Sequence, residues 1–411
     1  MIHPGYRTRP RRAIRSSIIL GTTNVHSKIG ANCNSIVLRR RHRMNTPPSA
    51  PSTEPADESP VRIGALAPLT PPGWVEAGQH LLAGLELAVV EVNAAGGIAG
   101  RPLELVVRDT AANPERAAAA VDELTALGVV ALAGEYHSVV ARAAAARADA
   151  LGLPFLCASA VLDTITDQPT KWVARLAPAQ SRGWRIYADF LLGADHRRIA
   201  VATQPSVYWA SGTRILRDYF DQRGGTVIEL DAGSLAPAAM CGELVDNRAT
   251  ALLLLVGHPE PAVSIVKSVR HDPRLAEIMI GAPAGQPEFA EFSKLLGATA
   301  IPFLRYLPER LSSVGARVET ALRERLGAAP SFVAFEGYDT IVVLAEMLRS
   351  HGVDRQRIAE SWPHVAVEGT RGKIQFSRAP GIGVWQWTWA PIQVVDRDPT
   401  HPDRFRILHA S

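Results

Sequence analysis

From residue 61 onward, short apolar runs alternate with longer stretches whose apolar positions recur every three or four residues. The first pattern marks buried strands, the second helices packed on one face. Val61–Ala67 reads as a strand. A helix over about 78–94 follows and ends at Ala95-Gly96-Gly97, where glycine supplies a left-handed turn. Leu103–Val107 is the next strand. Asn113-Pro114 opens a helix that closes near Gly128, because asparagine caps free amides and proline fits the first helical position. Strand Val129–Ala133, helix 138–150 and strand Pro154–Ala158 continue the series. After Arg182 it resumes with strand Ile199–Thr203, a helix over about 211–223, strand Thr226–Leu230 and strand Ala251–Val256. Helix Pro261–Arg270, strand Ile278–Gly281 and long helices near 313–327 and 332–350 complete it.

Strands alternating with helices predict an α/β fold with parallel sheets covered on both faces, and these strands are the continuous apolar runs such burial requires. The 411 residues exceed one ordinary core and suit two lobes of roughly 150 residues each. In such sheets ligands bind beyond the carboxyl ends of the strands. The stretches to watch are therefore Leu69 to Trp74, Glu135 to Ser138, Ser159 to Val161, Gln204 to Trp209, Gly257-His258 and Ala282-Pro283.

With 47% hydrophobic and 20% charged residues, the composition is globular. No run approaches the roughly 18 apolar residues of a membrane helix, so none is expected. Three cysteines (Cys33, Cys157, Cys241) exclude a disulfide-rich scaffold, and Cys157, ending a buried strand, reads as core rather than nucleophile. The formal charge of +4 conceals an asymmetry: residues 1–43 hold ten Lys/Arg and no acid, and the remaining 34 basic and 40 acidic residues give the body −6. A folded body of that sign does not bind nucleic acid by counterion release.

Residues 1–60 read as a disordered basic tail followed by a Pro/Ser linker. A secretory signal needs an apolar stretch of roughly 7–15 residues, and Arg15-Ser16-Ser17 stands where it should begin after Arg11-Arg12. Cys33 has no apolar run before it and is a poor lipid-attachment site. The expected compartment is therefore the cytoplasm unless an unrecognised export route operates. Met44 is the expected native start, which intact-mass measurement of the native protein would test.

No phosphate loop, no strand-borne G-x-G-x-x-G, no G-x-S-x-G elbow and no H-E-x-x-H is present. The histidines lack metal-ligand spacing. No catalytic residue, metal ligand or cofactor is assigned.

The best local site is Gly134-Glu135-Tyr136-His137-Ser138, between a buried strand and a helix. Amides at a helix start are unpaired, with the positive end of the helix dipole behind them, and Ser138 adds a hydroxyl; together these suit a carboxylate or another acceptor-rich group. Ser138 also reads simply as a helix cap. Ser159-Ala160-Val161 would lie beside it, and Trp74, Tyr136, Tyr208 and Trp209 occupy post-strand loops. Trp385, Trp387 and Trp389 alternate and share one strand face, read as packing under a lobe or near a crossing between lobes.

Residues 61 to about 410 resemble the type I periplasmic-binding family, in its branched-chain amino acid and amide receptor branch of ABC-transporter substrate-binding proteins. The resemblance rests on Val61–Pro68, on Gly84–Ile98 with its Asn-x-x-Gly-Gly-Ile ending, and on Leu103–Thr110. Gly134–Ser138, Tyr208–Gly212, Phe335–Asp339 and Gly372–Phe376 support it. It implies two Rossmann-like lobes joined by three hinge crossings near residues 180, 306 and 382. Lobe 1 would comprise 61–180 plus 307–381, and lobe 2 181–306 plus 382–411. Implied ligand contacts are Trp74, Tyr136, His137, Ser138, Ser159, Ala160 and Val161 in lobe 1, and Tyr208, Trp209, Gly257 and Pro283 in lobe 2.

Amino-acid binders of this branch hold the ammonium with a threonine, here Val161, and a second-lobe acid, here Pro283. An unpaired buried ammonium is costly. A neutral amide or an amine-free acid, aromatic acids included, is the expected ligand. The expected function is a solute-binding protein of an ABC-type uptake system that closes on a small polar solute and hands it to a permease. The alternative is a cytoplasmic amide-type sensor that acts on a regulatory partner. A third reading, a two-domain enzyme, has the architecture and none of the nucleotide motifs.

Overall fold

The computed structural model describes residues 59–296, 300–401 and 404–410. The basic tail, Cys33, Met44 and the linker lie outside the described residues.

The chain begins with strand β1 (Val61–Ala67), helix α1 (Val75–Ala94), β2 (Leu103–Asp109), α2 (Pro114–Ala126), β3 (Ala131–Gly134), α3 (Ser138–Ala150), β4 (Phe155–Cys157) and β5 (Val173–Arg175). Helix α4 (Gln180–Gly193) leads to β6 (Arg198–Thr203), α5 (Val207–Asp221), β7 (Thr226–Asp231), α6 (Pro237–Asp246), β8 (Ala251–Leu255), α7 (Ala262–His271) and β9 (Met279–Gly281). Then come α8 (Ala290–Leu296), β10 (Phe303–Arg305), α9 (Ser313–Leu326), α10 (Phe332–His351) and α11 (Arg355–Glu360). The last part is all strand: β11 (Val367–Gly369), β12 (Gly372–Ile374), β13 (Phe376–Ser377), β14 (Trp385–Trp387), β15 (Gln393–Arg397) and β16 (Phe405–Ala410).

Two parallel sheets carry the fold. The first runs β13-β14-β5-β4-β3-β1-β2, antiparallel only between β13 and β14. The second runs β7-β6-β8-β9 and is parallel throughout. Strands β1, β3 and β8 are apolar and almost wholly buried, since helices cover both faces. A small antiparallel sheet, β10-β15-β16, stands apart from both.

The chain leaves the first sheet after β5, returns after β10, and leaves again between β14 and β15. The boundary expected at 382 precedes Trp385–Trp387, yet β14 pairs in parallel with β5, so this strand belongs to the first sheet. Trp387 is buried there under Arg371, whose guanidinium lies 4.8 Å from its ring. Trp389, past the strand end, is exposed and does not share that packing.

Two glycines fix how the first lobe closes. Helix α1 crosses α10 at Gly84 and Gly337, where a Cβ would meet the Ala334 and Leu81 carbonyl oxygens at 1.9 and 2.3 Å. Backbone touches backbone there, which is the reason glycine stands at both positions.

Candidate functional site

The carboxyl ends of the two parallel sheets face a cavity of about 550 Å³. One wall comes from the loops after β1, β3 and β4 and carries Trp74, Tyr136, His137, Ser138, Ser159 and Val161. The other carries Ser206, Tyr208, Trp209, Gly257, His258, Ala284 and Gln286. Tyr306 and Phe332 also line the cavity. Nine of the eleven residues expected from the sequence therefore meet in one space, Ala160 and Pro283 being the exceptions.

Helix α3 starts where it does because the chain reverses at Gly134, with φ +112° and its Cα against the Leu66 carbonyl. The loop that follows is tied down by its own carboxylate. Glu135 accepts from Thr110 Oγ1 at 2.8 Å and from the Tyr136 and His137 amides at 2.9 Å each. Burial pushes its carboxyl up to about 7, against the pull of those three bonds. The expectation that loop amides stand free thus fails for Tyr136 and His137. Free of any intrahelical acceptor are the first-turn amides of Ser138 and Val139.

Ser138 does more than cap. Its Oγ accepts from the amides of Val161 at 3.1 Å and Leu162 at 3.2 Å, so it pins the neighbouring loop. A hydroxyl oxygen accepting two bonds keeps only its proton to give. Hence Ser138 can donate to a ligand, and the Val161 amide is spent on Ser138. Ala160 is wholly buried in a core cluster with Cys157 and Leu162, and its side chain turns from the cavity. Cys157 is core, its thiol pushed up to about 12 by burial.

His137 Nε2 accepts from the Trp74 amide at 3.1 Å, which leaves the ring's proton on Nδ1. Burial pushes its pKa down to about 4, so the ring is neutral. Trp74 Nε1 and His258 Nε2 are buried atoms with no hydrogen-bond partner among the described residues.

On the second wall the structure corrects two expectations. Tyr208 and Trp209 sit in the first turn of α5 rather than in a loop, because Ser206 Oγ caps that helix through the Tyr208 amide at 3.2 Å. Pro283 is buried away from the cavity, and Ala284, the next residue, faces it. Neither offers a carboxylate. Glu291 lines the mouth and is exposed.

Gln286, Tyr306 and Phe332 were not singled out by sequence. His258 stood in the stretch to watch after β8, though not among the implied ligand contacts. The others come from the segments after β9 and β10 and from the α10 start, far apart in sequence.

One segment ties the two walls. After β9 the chain runs through Gly285–Phe292 toward the first lobe. Glu288 accepts from the Phe332 amide at 3.2 Å and pairs with Arg305 at 2.9 Å. Phe289 packs its ring 5.5 Å from Trp74, 5.9 Å from Tyr136 and 6.4 Å from His80. Glu76, on α1, accepts from the Ala290 and Glu291 amides at 3.0 and 3.2 Å.

Among the described residues no cluster of three or more His, Cys, Asp or Glu could hold a metal ion, and no helix is long and apolar enough to cross a membrane.

Comparison with known proteins agrees with this geometry. The family profile described as "Periplasmic binding protein" matches residues 60–393. Leu/Ile/Val-binding protein homolog 8 of Brucella abortus (strain 2308) is 30% identical over 177 residues, covering 41% of this chain and 44% of that protein. The chain thus matches less than half the length of that curated relative. A leucine-binding protein from Thermotoga maritima superposes with a TM-score of 0.71 at 20% identity, over 84% of this chain and 97% of that one. A solute-binding protein of an ABC transporter from R. palustris, in complex with benzoate, gives 0.70 at 17% identity, over 85% and 96%. Two parallel sheets facing one solute-sized cavity, and a profile spanning nearly all of that body, lead to one conclusion: the chain belongs to the periplasmic binding protein family.

Proposed function

We propose that the protein binds a small, amine-free carboxylate or amide in this cavity and delivers it to the permease of an ABC-type uptake system. The observation that carries the reading is Ser138: both lone pairs of its oxygen are engaged by the Val161 and Leu162 amides, so its proton is left to donate. With the positive end of α3 beside it, the wall favours an oxygen acceptor that bears negative charge. The ring-bearing residues Trp74, Tyr136, Tyr208, Trp209 and Phe332 suit a flat apolar body behind that oxygen.

The reading departs from leucine binding. An ammonium needs a carboxylate or several acceptors, and Val161 and Ala284 supply none. Closure of two walls on the solute is the mechanism, with the solute left chemically unchanged; purified protein should return an added acid or amide intact.

Calorimetric titration with benzoate, benzamide and leucine tests this. Binding of benzoate or benzamide, with leucine weaker by at least tenfold, is the expected result. Tight leucine binding with neither of the others would overturn it.

A further inference from the structure

Behind Ser159, Tyr136 and Tyr306, which line the cavity, lies a wholly buried charged cluster. Glu336 and Asp339, one turn apart on α10, share Arg371 from the β11–β12 turn, at 3.1 and 3.0 Å. Their surroundings are unequal. Asp339 accepts from the Thr370 amide at 2.6 Å, from Thr370 Oγ1 at 2.8 Å and from Arg371 Nε at 3.0 Å. Glu336 accepts from Arg371 alone, at 3.1 Å, and its buried Oε2 has no partner within hydrogen-bond geometry among the described residues.

Ser159 Oγ is likewise buried and outside strict hydrogen-bond geometry, yet it is the hydroxyl close enough to act on the Glu336 carboxyl, and Ser159 lines the cavity. Two carboxylates and one guanidinium in a dry site leave one negative charge uncompensated, which a retained proton removes. The unequal donor count puts that proton on Glu336. Tyr306 and Tyr136 are the other titratable groups that face Glu336, and burial raises both phenols so that they stay neutral. Arg175 lies near Tyr306 and is held by neutral acceptors, Gln386 Oε1 at 2.8 Å and the Leu162 carbonyl at 2.6 Å.

We propose that Glu336 is a positioning residue that selects ligand charge: in its acid form it donates to Ser159 Oγ, which turns the Ser159 O–H into the cavity as a donor for an anion. Ionised, Glu336 accepts a hydrogen bond from the Ser159 O–H instead. Ser159 then presents a lone pair, and the floor of the cavity gains a negative charge; both changes disfavour an anion. Burial pushes the Glu336 carboxyl up to about 7, against the pull of Arg371 and of the Ser159 hydroxyl, so the exchange falls near neutrality. This inference rests on the proposed reading of the cavity as a site for amine-free acids and amides.

Benzoate stays ionised between about pH 6 and 8, and benzamide has nearly its shape without the charge. Calorimetry should show benzoate affinity falling on the order of tenfold over that range, as the competent acid form depletes, with benzamide nearly flat. Glu336→Gln keeps a donor toward Ser159 and cannot ionise, so its benzoate affinity should be flat and close to the wild-type value at low pH. Ser159→Ala should bind benzoate more weakly and with a shallower pH dependence, since only the charge on Glu336 is left to act. In ligand-free protein, the infrared band of a protonated carboxyl should weaken as pH rises and be smaller in Glu336→Gln. Glu135 also titrates near 7, and the Glu336→Gln comparison separates the two.

A benzoate profile in Glu336→Gln as steep as in wild type overturns the inference, as does a benzamide profile as steep as that of benzoate. An infrared band that Glu336→Gln leaves intact also overturns it. If neither compound binds the wild-type protein, the ligand reading fails, and the infrared comparison alone decides whether Glu336 holds the proton.

Discussion

A single oxygen, Ser138 Oγ, holds one loop in place and leaves its proton for a second task. Ser138→Ala would strand the amides of Val161 and Leu162 and remove the donor together. Stranding a buried amide costs about 1–3 kcal/mol. The variant should lose at least tenfold in affinity for benzoate or benzamide, by calorimetry, and melt several degrees lower. Gly134→Ala is expected to be worse for folding, since its Cβ would sit 2.0 Å from the Leu66 oxygen at a positive φ. A loss of more than about 2 kcal/mol in urea denaturation is expected. Sequence position alone pointed to Ser138, Tyr136 and His137, because a polar cluster between an apolar run and a helix can only be a strand tip. It misplaced Ala160 and Pro283, because past a strand's last hydrogen bond no period dictates which side chain faces the cleft. Glu336 escaped notice for a different reason: an acid within the helical pattern of α10 looks like a solvated face until its burial is seen.

At the scale of elements, helix crossings and the segment Gly285–Phe292 govern behaviour. Gly84→Ala or Gly337→Ala would push α1 off α10 where carbonyl oxygens already stand 1.9 and 2.3 Å from the added carbon. Overpacking of this kind costs about 1–3 kcal/mol, so either variant should lower the melting temperature by several degrees in a thermal scan. Glu76→Ala removes the carboxylate that joins α1 to the Ala290 and Glu291 amides. By analogy with lost helix caps, worth about 0.5–2 kcal/mol, ligand dissociation should quicken several-fold in stopped-flow measurements, with the ligand contacts themselves untouched. Long elements such as α1, α3 and α10 were legible because their apolar period is sustained. Helix α4 was missed, although Trp184, Tyr187 and Leu191 recur at helical spacing and are buried. Strands of three residues, such as β5 and β14, are too short to show a period and emerge only from pairing.

The whole molecule titrates as well as folds. Glu135 and Glu336 have carboxyls raised by burial to about 7, so the folded chain holds protons that the unfolded chain has released. Their contribution to stability is complete below the ordinary glutamate range and disappears as pH rises through about 7. His137, lowered by burial to about 4, acts with the opposite sign, so the test is a difference: between pH 5 and pH 8 the melting temperature of ligand-free Glu336→Gln should fall less, or rise more, than that of wild type in calorimetric scans. Parallel sheets were legible from strand–helix alternation. The last passage between them was not, since β14 joins the first sheet through partners more than two hundred residues earlier.

Phe289 sits against Trp74, and it reaches there from the opposite half of the molecule. Any parting of the halves must draw that ring away and let water reach the indole. The chain thus carries its own optical gauge: emission from Trp74 should redden when the cleft gapes and return to the blue when a solute shuts it, a change that Trp74→Phe would erase.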